Sequence, residues 1–158
     1  MKRTIAGLIA AAGLVLGLGA VTIPAAQAGV SPDVTVQIKS TTGGCLKDQG
    51  VSVAYSVSSC SISSNFTRTG YNVGGVEVYT YKDGNGYCVT ASGSQYEAGN
   101  CVAASTQKFL DPDPEFQSVY DISLDPADFM VKWPIGCCTY EALRDTQTDG
   151  YNNAWELT

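Results

Sequence analysis

The sequence predicts an all-β fold in which three repeated units close into a pseudo-threefold barrel. Three observations carry this. First, Cys45 stands 21 residues before Phe66 and Cys88 stands 21 residues before Phe109. Cys45 to Cys88 is 43 residues, Phe66 to Phe109 is 43, and Trp155 follows Phe109 by 46. A fixed period near 40 residues marks a repeat architecture, in which one supersecondary unit is copied and the copies share a core. Second, nearly every apolar stretch alternates with period two, the signature of half-buried strands. Third, glycine-rich turn signals separate those stretches. A propeller needs at least four blades, so three units suit a small barrel better.

The elements follow in order. Val34, Val36 and Ile38 alternate with Thr35, Gln37 and Lys39. After a Gly43-Gly44 turn, Val51, Val53, Tyr55 and Val57 alternate with Ser52, Ala54 and Ser56. Gly74-Gly75 separates that unit from a strand in which Val76, Val78 and Thr80 face away from Glu77, Tyr79 and Tyr81. Further turns are expected at Asp83-Gly84-Asn85-Gly86, Gly99-Asn100 and Asp149-Gly150. Asp111-Pro112-Asp113-Pro114 reads as a rigid loop, because proline cannot donate to a ladder. Val119 to Leu124 again alternates, so a strand is expected there. Tyr140-Glu141-Ala142-Leu143-Arg144 is the only helix-like stretch, about one and a half turns long. Each of the first two units holds a second cysteine, Cys60 and Cys101. Bridges Cys45–Cys60 and Cys88–Cys101 within the units would each contribute about 3 kcal/mol in the chain-entropy account.

The ends and the composition narrow the function. Lys2 and Arg3, an apolar run from Ile5 to Val21 and Ala26-Gln27-Ala28 read as a secretory signal peptide over residues 1–28. Residues 29–158 are then one domain, secreted and extracellular. That part carries 7 basic against 15 acidic side chains. Nucleic acid is an unsuitable partner, since phosphate binding relies on Lys and Arg, and an anionic membrane surface is unsuitable for the same reason. The chain has no histidine, which excludes Ser-His-Asp and Cys-His catalysis. Four-cysteine zinc sites need two closely spaced pairs, which these spacings do not supply. No cofactor and no enzymatic activity are expected, and the chain is read as a monomer.

Specific residues then point further. Gly86-Tyr87-Cys88-Val89-Thr90-Ala91, followed by Cys101 and by Gln107-Lys108-Phe109, resembles one repeat of a ricin-type β-trefoil lectin domain. Cys45-Leu46, Val51-Ser52-Val53, Cys60 and Phe66 fit a first repeat, and Asn153-Ala154-Trp155-Glu156-Leu157 resembles the end of a last one. The resemblance implies a β-trefoil stabilised by disulfides within its repeats, with carbohydrate as ligand. The family's sugar-holding acidic residue falls at Lys47 and Thr90 here, with Asp48 one place late. Its stacking aromatic falls at Ser58 and Gly99, with Tyr55 and Tyr96 nearby. Its Gln-x-Trp glutamine is kept as Gln107, and the first repeat has Ser64 there.

Sugar binding needs a carboxylate or amide fork for neighbouring hydroxyls and an aromatic face for the apolar side of the ring. The third unit offers Asp145, Asp149, Asn152 and Asn153, with Tyr151 or Trp133 as platform. Asp48 and Gln107 complete the candidate carbohydrate-binding set. The competing reading is that the asparagines are turn residues, Gln107 packs the barrel and the sugar site has decayed. The scaffold would then serve an extracellular protein partner as an interaction or inhibitor module. Asp145 to Glu156 also approximates a calcium loop, but Gln147 and Asn152 depart from that pattern, so no metal is assigned. Cys137-Cys138 is left by elimination as a vicinal disulfide or a pair of thiols.

Overall fold

A computed structural model describes residues 32–73, 75–111, 116–123, 129–145 and 154–158. Residues 1–28 and the candidates Asp149, Tyr151, Asn152 and Asn153 lie outside the described residues. The described residues form ten strands: β1 Val34–Ser40, β2 Cys45–Lys47, β3 Ser56–Ser58, β4 Asn65–Val73, β5 Val76–Asp83, β6 Cys88–Ser92, β7 Gln95–Gly99, β8 Phe129–Gly136, β9 Thr139–Asp145 and β10 Trp155–Leu157. One short helix, α1, spans Val119–Ile122. The all-β expectation holds.

The strands join one antiparallel sheet in the order β10-β1-β2-β3-β9-β7-β6-β5-β4, with β8 paired to β9. The sheet returns on itself, because β4 also pairs with β1, Val36 opposite Phe66. Closure gives β4 a second partner, which an edge strand would lack. The first and last described strands also meet: β10 pairs with β1, Ser40 opposite Trp155. Three hairpins, β2–β3, β6–β7 and β8–β9, converge where Tyr55 N–H donates to the Tyr96 carbonyl (2.9 Å) and Ala142 N–H donates to the Tyr55 carbonyl (2.8 Å).

The core is aromatic. Tyr55, Tyr81, Tyr96, Phe66, Phe109, Phe116 and Trp155 are all buried. Phe109 is the hub, with ring centroids 4.8 Å from Phe116, 5.8 Å from Tyr81 and 6.2 Å from Tyr96. Buried tyrosines need partners for their hydroxyls. Tyr55 O–H donates to Asp83 (3.2 Å), and Tyr96 O–H donates to Asp121. Burial, reinforced by the Asp83 carboxylate, pushes the Tyr55 hydroxyl far above its ordinary pKa.

The two bridges are Cys45–Cys60 and Cys88–Cys101, as expected from the repeat. Both tie the start of a hairpin's first strand to the chain just beyond its second.

Several local expectations fail for physical reasons. Val51 and Val53 are 43% and 45% exposed, while Ala54, Tyr55 and Val57 are buried; the chain at 51–54 meets β7 only through isolated bridges, Val51 to Ala98 and Ala54 to Glu97, and becomes a continuous strand only at Ser56. In β5, Val78, Tyr79 and Tyr81 are all buried, so its neighbours cover both faces and period-two alternation loses its meaning there. The stretch expected to be helical, Tyr140 to Arg144, is strand β9. Its local preference is overridden by ladders to β8, β3 and β7. The stretch from Val119, expected as a strand, is instead α1. Ser118 and Asp121 form a reciprocal capping box, Ser118 Oγ accepting from Asp121 N–H and the Asp121 carboxylate from Ser118 N–H.

Asp121 is the polar anchor that joins α1 to β7 and β9. It is fully buried and accepts from Ser118, Tyr96 and Arg144, whose side chain is 7% exposed. Removing one member of such a buried pair strands the other charge. Asp121→Ala is therefore expected to cost about 3–5 kcal/mol, read from guanidinium unfolding. Replacing Cys88 and Cys101 together by alanine is expected to cost about 3 kcal/mol in the same assay.

Candidate functional site

The β8–β9 hairpin has two chemically distinct faces. Met130 and Ala142 are buried and point into the core, and Arg144 on that face reaches Asp121. The other face carries Trp133, Glu141, Leu143 and Asp145, all part-exposed. Trp133 lies directly opposite Glu141 in the β8–β9 register. Directly opposed residues of an antiparallel pair hold their Cβ atoms about 5 Å apart on one face.

Neighbouring strands extend this face. Ser56 of β3 is opposite Glu141, and Gln95 of β7 is opposite Leu143. Gln95 donates from Nε2 to Glu97 (2.8 Å), and Gln49 donates from Nε2 to the Ser56 hydroxyl (2.9 Å). An indole, carboxylates, an amide and a hydroxyl thus share one part-exposed surface at the convergence of the three hairpins. The arrangement suits a ligand with one apolar face and several hydroxyls. Asp145 lies on the same face but four residues along β9 from Glu141, about 14 Å at strand rise. It would meet the far end of an extended ligand.

The sequence-stated candidates fare unequally. Asp145 and Trp133 fall together on this face. Asp48 lies elsewhere, and its carboxylate is engaged on both oxygens, by Gly50 N–H (2.8 Å) and by Asn85 Nδ2 (2.6 Å). It closes its own turn and ties it to the turn between β5 and β6. Gln107 is 2% exposed. Its Nε2 donates to Thr90 Oγ1 and to the Asn100 carbonyl, and its Oε1 accepts from Val102 N–H. The amide is used up inside the fold, so Gln107 is a packing residue rather than a ligand. Tyr55 and Tyr96 are wholly buried and offer no platform. Asp149, Asn152 and Asn153 fall outside the described residues, as does most of the calcium-like loop.

Glu141, Gln95 and Glu97 were not singled out from the sequence. Glu141 alternates with buried Ala142 in Tyr140-Glu141-Ala142-Leu143. That signal is readable only once the stretch is known to be a strand. Lys132 shares the inner face of the hairpin with Arg144. Its ammonium sits 4.3 Å from the Tyr140 ring centroid and donates to the Gly43 carbonyl (2.8 Å). Burial lowers its pKa.

Cys137 and Cys138 form the turn of this hairpin and are exposed thiols, one of the two states that elimination left open. Among the described residues no group of three or more His, Cys, Asp or Glu side chains is disposed to hold a metal ion. No helix among them is long and apolar enough to cross a membrane.

No protein-family profile matches the chain, and no curated protein matches it in sequence. Solved structures do match in fold. The cytolethal distending toxin of Haemophilus ducreyi superposes with TM-score 0.61 at 14% identity, over 78% of this chain and 82% of that one. The cytolethal distending toxin of Actinobacillus actinomycetemcomitans gives 0.60 at 14% identity, over 78% and 90%. A β-1,3-galactosidase of glycoside hydrolase family 43 gives 0.61 at 10% identity, over 83% of this chain but 28% of that protein. At these identities the likeness is one of fold alone.

Gln107→Ala is expected to destabilise the fold by about 1–3 kcal/mol, because it leaves Val102 N–H and the Asn100 carbonyl without their partner. The loss should appear in thermal unfolding and leave ligand affinity of the folded fraction unchanged.

Proposed function

We propose that this protein is a secreted, monomeric carbohydrate-binding protein on a β-trefoil scaffold of the ricin-type lectin kind, and not an enzyme. The observation that carries the binding reading is the part-exposed Trp133 directly opposite Glu141 on the outward face of β8–β9. An aromatic face supplies most of the buried area in such a site, and the carboxylate orients the hydroxyls.

Three correspondences support the trefoil. Phe66 is opposite Asp83, Phe109 is opposite Ser118 and Trp155 is opposite Ser40, at the spacing of the sequence repeat. Tyr55, Tyr96 and Ala142 are linked in succession where the hairpins converge. The two bridges sit at matching places in the first two units. The bridges also favour an oxidising, extracellular setting, in keeping with the signal peptide read from residues 1–28. That similar folds occur in a toxin and in a galactosidase is compatible with a binding module.

The test is a glycan array on oxidised protein, with and without calcium, followed by affinity measurement on any hit. Trp133→Ala is expected to weaken binding at least about tenfold, the equivalent of about 1.4 kcal/mol. Glu141→Gln should weaken it with little change in unfolding midpoint. Asp145→Asn and Asp149→Ala report whether the third unit's loop takes part, and a calcium requirement would bring that loop in as a metal site. A blank array on folded protein would favour the second reading, a protein-interaction or inhibitor module. The exposed apolar tip of the same hairpin, where Ile135 is 55% exposed, is the observation that favours it.

A further inference from the structure

Six cysteines are present, and four are joined within the first two units. Cys137 and Cys138 have no further cysteine in the chain to pair with. They occupy the two-residue turn between β8 and β9, and both are exposed. Gly136 is paired with Thr139 across the turn, so the ladder holds the turn closed from both sides. Cys138 adopts a left-handed backbone (φ 66°), uncommon for a residue with a Cβ. The two sulfurs lie 3.2 Å apart.

We propose that Cys137 and Cys138 are a reversible redox site, closing to a vicinal disulfide by exchange with a small external disulfide such as oxidised glutathione. One thiolate attacks the external disulfide, forms a mixed disulfide and expels one small thiolate. The neighbouring thiolate then attacks the protein sulfur of that mixed disulfide and expels the second. The protein gains one S–S bond and gives up two protons and two electrons, and the external disulfide is reduced to two thiols. The second step is intramolecular and starts from sulfurs already near contact, so it outruns a second external attack.

Geometry also makes the bond reversible. Adjacent Cα atoms are about 3.8 Å apart across a trans peptide, shorter than the span disulfides usually bridge. The two structural bridges span Cα distances of 4.9 and 5.0 Å, within that range. A bridge closed across one peptide bond is the more readily reduced. Oxidation would thus place a covalent clamp at the tip of the hairpin whose outer face carries Trp133 and Glu141, without disturbing the bonds that hold the fold.

The test uses the whole protein, alkylation with N-ethylmaleimide and intact mass. The native protein should take two labels, mapping to Cys137 and Cys138. After oxidised glutathione it should take none, weigh two hydrogens less than the dithiol form and remain monomeric on a non-reducing gel. Reduced glutathione should restore both labels while Cys45–Cys60 and Cys88–Cys101 persist. Cys137→Ser should instead retain one glutathione on Cys138, having no neighbour to displace it. Glutathione persisting on the native pair, disulfide-linked dimers, no oxidation at all, or loss of the structural bridges together with the pair would each overturn the proposal.

Discussion

The fold depends on the closed meeting of three hairpins. Tyr55 donates its N–H to Tyr96 and its carbonyl accepts from Ala142. These residues are far apart in sequence, so their hydrogen bonds form only once the sheet has nearly closed. Contacts of this kind must overcome loop-closure entropy before they stabilise anything. The Cys45–Cys60 and Cys88–Cys101 bridges, which also constrain the unfolded chain, reduce that entropy. The same meeting point decides two other things. It turns Tyr55, Tyr96 and Ala142 inward, and it brings Ser56, Glu141 and Gln95 to the surface on neighbouring strands.

A core this rich in tyrosine creates a second constraint. The rings supply apolar area, but each buried hydroxyl needs a partner. Asp83 and Asp121 meet that need for Tyr55 and Tyr96, and each carboxylate also organises its own backbone. Asp83 accepts from Asn85 and Tyr87 N–H, fixing the turn that leads into β6. Asp121 caps α1 and holds Arg144. Packing and chain direction are therefore coupled through the same two side chains.

This coupling explains why residues with ligand-like chemistry are distributed as they are. Asp48 and Gln107 have the right functional groups for holding a sugar, yet their hydrogen-bonding capacity is taken by Gly50, Asn85, Thr90, Asn100 and Val102. The β8–β9 hairpin presents a polar and aromatic face outward, where Trp133 and Glu141 are opposite one another and lie away from the inner Arg144–Asp121 pair. Polar groups are thus used unequally: Asp48 and Gln107 hold turns, and the β8–β9 hairpin exposes a mixed aromatic and acidic surface.

Legible in the sequence were the strand-rich class, the Cys45–Cys60 and Cys88–Cys101 pairing and the repeated aromatic positions Phe66, Phe109 and Trp155, which the structure places in the core. Those follow from spacing and period, which are properties of the chain read locally or at a fixed repeat. Tertiary structure decided the identity of α1 and β9. Val119 alternates like a strand, but a buried capping box favours one helical turn. Tyr140 to Arg144 has helix-forming residues, but three neighbouring strands leave it only the extended form. The candidate site was half legible for the same reason. Trp133 and Asp145 stood out by residue type, whereas Glu141, Gln95 and Ser56 became part of a surface only through register, which long-range pairing sets and local preference does not.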